Sequence, residues 1–115
     1  MLQVGRMNYI HEMRRHCVLE PSADTTDEAV HLSQTLLSQS YLSPLPVHSQ
    51  PVYWDYSHAL QLYPAPTLTV LADKHEMYNI DQESQIMANP GSFATDASFL
   101  LYRPATKECE PSVCP

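Results

Sequence analysis

Asn89-Pro90-Gly91 is the tightest constraint in this sequence. Proline at the second position of a turn holds φ near about −65°, and glycine at the third accepts the positive φ of a type II turn. Only one other glycine, Gly5, stands in the 115 residues, against ten prolines. Most bends must therefore be made by Asn, Asp or proline-rigid connectors. Apolar runs flank the turn, Gln85-Ile86-Met87-Ala88 before it and Ser98-Phe99-Leu100-Leu101-Tyr102 after it. Both read as strands, so the turn joins two strands and fixes Ser92 and Phe93 on the return.

Residues 1–5 carry no clear signal. Residues 6–17 read as a short helix, because Tyr9 or Ile10, Met13 and Cys17 recur at three- and four-residue steps. A polar linker broken by Pro21 follows. Thr25 with Glu28 three residues on is a capping-box pattern, and it predicts a helix to about Ser40 with Ala29, Leu32 and Leu36 on one face. Tyr41-Leu42-Ser43-Pro44-Leu45-Pro46 is a proline-rigid connector. Residues 51–54 are expected as a short strand opened by Pro51, and residues 56–62 as one or two helical turns closed by Pro64. Residues 67–72 are β-branched and apolar on both faces, which predicts a central strand. Residues 74–84 read as a polar excursion, and the chain after Pro104 as charged and frayed. The organisation expected is a helical lead-in over 1–43 with a linker near 20–26, a sheet portion over 44–104 and a flexible tail over 105–115.

Charge narrows the function classes. The net charge of −7 opposes the basic stripe that phosphate neutralisation requires, and only Arg14-Arg15, with Arg6 and His16 nearby, is locally basic. Direct binding to DNA is not expected. The Arg pair reads as a solvated helix face, with an acidic partner surface as the alternative. Three cysteines, Cys17, Cys109 and Cys114, read as reduced thiols of an intracellular chain, since no apolar signal-peptide core follows Met1.

Several constellations invite chemistry. Asp73-Lys74-His75 closes an apolar strand with a carboxylate and an imidazole, the residue types that hold water-activating metals. That chemistry needs further ligands downstream, and no histidine follows His75; a solvated strand end is the expectation. Asp55 and His58 fall on one face of a helical turn, where a structural histidine is expected. His31 and His48 are isolated. Cys109 and Cys114 lack the second pair of a zinc site, and Ser57 beside His58 lacks the geometry of a triad. Trp54, with Tyr53, Tyr56 and Tyr63, reads as core, part of it exposed if the chain is a piece of a longer domain whose remainder would cover it.

Together, Pro44-Leu45-Pro46-Val47, Gln50-Pro51-Val52-Tyr53-Trp54-Asp55-Tyr56, His58-Ala59-Leu60-Gln61-Leu62-Tyr63-Pro64, Val70-Leu71-Ala72-Asp73-Lys74, Asn89-Pro90-Gly91-Ser92-Phe93 and Tyr102-Arg103-Pro104 resemble the C-terminal end of the B-subunit family of DNA polymerase epsilon. The resemblance implies an α/β (α+β) fold, the C-terminal part of an inactivated calcineurin-like phosphoesterase β-sandwich with flanking helices, incomplete as a stand-alone fold. It implies only the last part of a family chain several times longer. It further implies a non-catalytic accessory subunit without cofactor or metal. Its partner would be the C-terminal zinc-bearing domain of the catalytic subunit. It would act in DNA replication in the nucleus and reach DNA through the complex. Residues expected to shape the fold are Trp54, Tyr56, His58, Leu60, Tyr63, Asn89, Pro90, Gly91 and Phe93. The alternatives are a small independent metal-dependent phosphoesterase using Asp73 and His75, and a truncated fragment with open strand edges.

Overall fold

The computed structural model describes residues 1–19, 27–82 and 84–115. Thr25 and the linker expected near 20–26 lie outside the described residues. The chain is mixed α/β and divides into two compact units, Tyr9–Ala65 and a discontinuous one made of Met1–Asn8 with Pro66–Pro115.

The Tyr9–Ala65 unit is helical. It holds α1 (Tyr9–Arg15), α2 (Glu28–Gln39) and a 3₁₀ helix, Trp54–Leu60. Asp27 caps α2: its backbone is extended and its carboxylate accepts the Ala29 N–H at 2.9 Å, satisfying one of the orphan donors of the first turn. The expected face is buried, with Ala29, Leu32 and Leu36 almost fully covered. Ser40 ends the helix in the left-handed region, φ 52°, with its N–H on the Leu37 carbonyl. The Arg14 guanidinium lies 3.0 Å from the Glu28 carboxylate, tying α1 to the start of α2, while Arg15 faces Glu12 within α1 at 3.9 Å. The return of the chain is local. Leu42 N–H donates to the Leu60 carbonyl and Leu62 N–H to the Ser40 carbonyl, bringing the end of α2 to the end of the 3₁₀ helix. Residues 51–53, expected as strand, are irregular, and the 3₁₀ helix starts at Trp54; Pro51 brings no N–H to a ladder.

The discontinuous unit carries two sheets. β1 (Leu2–Gly5), β2 (Leu68–Leu71), β3 (Tyr78–Gln82) and β4 (Gln85–Asn89) form one sheet in the order β1-β2-β4-β3. β1, β2 and β4 run parallel, and β3 is antiparallel to β4. β2 is central, as its double-sided apolar pattern predicts: Leu68, Thr69 and Leu71 are all buried. A short helix, α3 (Phe93–Asp96), leads to β5 (Ser98–Arg103), which pairs antiparallel with β6 (Glu108–Val113). Cys109, Leu100 and Tyr102 of this second sheet pack on Leu68, Val70, Ile86 and Ala88 of the first.

Three strands depart from the sequence expectations. β1 arises where the sequence carries no clear signal. β3 occupies the expected polar excursion. β6 stands where fraying was expected, with Pro111 tolerated because a two-stranded sheet has only edge strands. The strands either side of Asn89-Pro90-Gly91 also belong to different sheets rather than to one hairpin. Among the described residues no helix is long and apolar enough to cross a membrane.

Candidate functional site

Parallel β2 and β4 end side by side, and the carboxyl ends of parallel strands are where α/β folds usually assemble sites. Asn89, the last residue of β4, is completely buried there. Its Oδ1 accepts the N–H groups of Asp73 and Gly91, each at 3.3 Å. Its Nδ2 donates to the carbonyls of His75 at 3.0 Å and Glu76 at 3.2 Å. One neutral amide therefore ties the loop after β2 to the turn after β4. A buried polar group is tolerated only when bonded in this way.

Gly91 has φ +74°, the positive value expected of the turn. A Cβ on it would lie 2.7 Å from Ser98 Oγ and 3.4 Å from Met77 Cβ. Glycine is required here by conformation and by space together. Beside the turn is a groove of about 510 Å³, walled by Leu2, Leu68 and Val70 on one side and by Phe99, Leu100 and Tyr102 on the other. Its lining is apolar, and Ser98 Oγ, buried in it, has no hydrogen-bond partner among the described residues.

Asp73 is buried and Lys74 exposed. The half-buried His75 ring lies edge-on to Tyr78 at 6.3 Å between centroids, with Nδ1 3.4 Å from the Glu76 carbonyl. Among the described residues, no three side chains of His, Cys, Asp or Glu gather as a metal-binding group. Cys17 and Cys114 are exposed, whereas Cys109 is buried within β6 and burial pushes its thiol pKa up. What the corner does chemically is hold backbone.

The fold-shaping residues expected from sequence separate into two groups. Asn89, Pro90 and Gly91 meet at the corner. Phe93, at the start of α3, is exposed. The helical-unit residues mostly face outward: Trp54 is 69% exposed, Tyr56 and Tyr63 are more so, His58 is exposed and Leu60 half-buried. Among the described residues Trp54, Tyr53, Tyr56 and Tyr63 are therefore not core; they form the exposed part that the sequence expectation allowed for. A 3₁₀ helix is narrow, and its i, i+3 side chains eclipse, so it turns few residues inward. In the sequence Asn89 shows only as the opening of a turn. Its reach to residues 73–76 crosses sequence separations of thirteen or more, which no local pattern announces.

Comparison with known proteins adds a second line. The family model for the B subunit of DNA polymerase alpha/epsilon matches residues 2–80. The B subunit of DNA polymerase epsilon from Arabidopsis thaliana is 45% identical over 108 residues, covering 93% of this chain and 20% of that protein. DNA polymerase epsilon subunit 2 of Bos taurus is 40% identical over 110 residues, 95% of this chain and 21% of that protein. The Homo sapiens subunit 2 is 38% identical over 112 residues, 96% and 21%. The chain thus spans about one fifth of the length of these curated relatives.

Proposed function

This chain belongs to the B-subunit family of DNA polymerase alpha/epsilon, and we propose that it works as part of a non-catalytic accessory subunit of DNA polymerase epsilon. The observation that carries this reading is the extent of the likeness: identity of 38–45% runs over more than nine tenths of the chain. In this reading the chain is scaffold. It joins the catalytic subunit, through that subunit's C-terminal zinc-bearing domain, to the rest of the complex. It acts in DNA replication in the nucleus and meets DNA through the assembly, in keeping with its net charge of −7. The corner around Asp73, His75 and Asn89 is the remnant of a phosphoesterase site now given over to structure.

The outward aromatics support a scaffold. Tyr53, Trp54, Tyr56 and Tyr63 expose large apolar rings within eleven residues. Clusters of that kind mark protein–protein surfaces, where Trp and Tyr carry much of the binding energy. The test is co-purification from cell extract with the tagged 115-residue chain as bait. Recovery of the polymerase epsilon catalytic subunit, resistant to salt, is the expected result. A folded chain that recovers none of it overturns the assignment of the contact to this segment.

A further inference from the structure

Four of the seven glutamines directly follow a serine: Ser33-Gln34, Ser38-Gln39, Ser49-Gln50 and Ser84-Gln85. With eleven serines in 115 residues, chance placement would give fewer than one such step. Serine followed by glutamine is the acceptor pattern of protein kinases whose substrate pocket takes the amide beside the hydroxyl.

The fold sorts the four. Ser33 is completely buried on α2, and its Oγ donates to the Ala29 carbonyl at 2.8 Å. Ser49 is half-buried in a tight turn, its N–H on the Pro46 carbonyl. Ser38, whose Oγ also donates to a helix carbonyl, that of Thr35 at 3.1 Å, differs in being exposed on the last turn of α2 with exposed Gln39 beside it. Ser84 is exposed between β3 and β4 with φ 73°, and Gln85 opens β4. We propose that Ser38 and Ser84 are phospho-acceptor sites for a glutamine-directed serine kinase. Serine Oγ forms a bond to the γ-phosphorus of MgATP as the bond from that phosphorus to the β,γ-bridging oxygen breaks. ADP leaves, and the hydroxyl proton passes to a carboxylate of the kinase.

The two sites differ in consequence. A phosphate carries roughly −1.5 to −2 charge near neutral pH. On Ser38 it sits at the negative end of the α2 dipole, and no basic residue occupies that turn. Like-charge repulsion then loosens the turn. The turn runs into Ser40, whose carbonyl accepts the Leu62 N–H, so the clasp between α2 and the end of the 3₁₀ helix loosens with it. On Ser84 the phosphate stands on an exposed turn and leaves the ladder pairs from Gln82–Gln85 onward in place.

The experiment incubates the full chain with a glutamine-directed serine kinase and MgATP, and maps phosphate by mass spectrometry. Phosphate is expected on Ser38 and Ser84, with Ser33 unmodified. The variant Gln39→Ala/Gln85→Ala keeps both serines and should lose the label, while its circular dichroism matches the parent. Three results overturn the proposal: no label, label that survives removal of the glutamines, or label on Ser33 equal to that on Ser38. Label on one of the two serines alone keeps that site and overturns the other.

Discussion

Asn89 and Trp54 invert the usual distribution of polar and apolar side chains. The asparagine amide is wholly buried, and the only tryptophan is mostly in solvent. The difference lies in what each side chain touches. Asn89 is satisfied within the chain, by two backbone donors and two backbone carbonyls. Trp54 leaves most of its ring to whatever lies outside. A buried polar group that is fully bonded serves the fold, and an exposed aromatic cluster serves contact.

Substitutions sharpen or break that contrast. The largest effect is expected from Asn89→Ala, which withdraws four hydrogen bonds from buried and part-buried backbone and should cost about 2–4 kcal/mol of stability in urea unfolding. Asn89→Asp should also be costly, because a carboxylate cannot donate to the His75 and Glu76 carbonyls. A mild effect of both would show that the corner is held by something else. Gly91→Ala comes next, at about 2–3 kcal/mol from left-handed strain and crowding. Adding Ser98→Ala removes the Oγ that the new methyl would meet, so part of the loss should return while the strain stays.

Smaller effects follow. Burial raises the Cys109 pKa in the folded chain, so the fold favours the neutral thiol. That contribution is complete below the unfolded thiol value of about 8.5 and is lost as pH rises through the higher folded value. The unfolding midpoint should therefore fall in alkali, and less so in Cys109→Ala. Iodoacetamide should label exposed Cys17 and Cys114 well before Cys109. The smallest change in stability, within about 0.5 kcal/mol, is expected from Trp54→Ala. The same variant should lower recovery of the catalytic subunit in the co-purification. Loss of stability instead, with recovery unchanged, would return Trp54 to the core and dissolve the contrast.

Sequence made much of this architecture legible, and the failures have physical reasons. β2, β4, β5, both longer helices and the positive φ of Gly91 follow from local patterns. β3 was hidden by Asn79 and Asp81, yet its burial alternates, with Tyr78, Ile80 and Gln82 half-covered and the two polar residues exposed. An edge strand solvated on one face looks like a loop when only composition is weighed. β6 was hidden by its glutamates and Pro111, and it exists because β5 offers a register from Ser98–Val113 to Arg103–Glu108. At the corner, the turn was readable and the clamp was not, since it depends on which backbone the fold delivers to Asn89. For the aromatics, ring size says that a surface wants cover, not which molecule supplies it.

β1 pairs Leu2 with Leu68 and Gly5 with Leu71, so the whole helical unit is spliced between two adjacent strands. Closing a loop of that length costs roughly 4 kcal/mol in chain entropy by a logarithmic estimate, before any ladder bond is made. Helical contacts are local and form early, and pairings distant in sequence come late. On a ribosome, β1 emerges ahead of its partner and waits until residues 68–71 clear the exit tunnel. Within its own sheet it is made before β2, β3 and β4 and, by contact order, is among the last to dock.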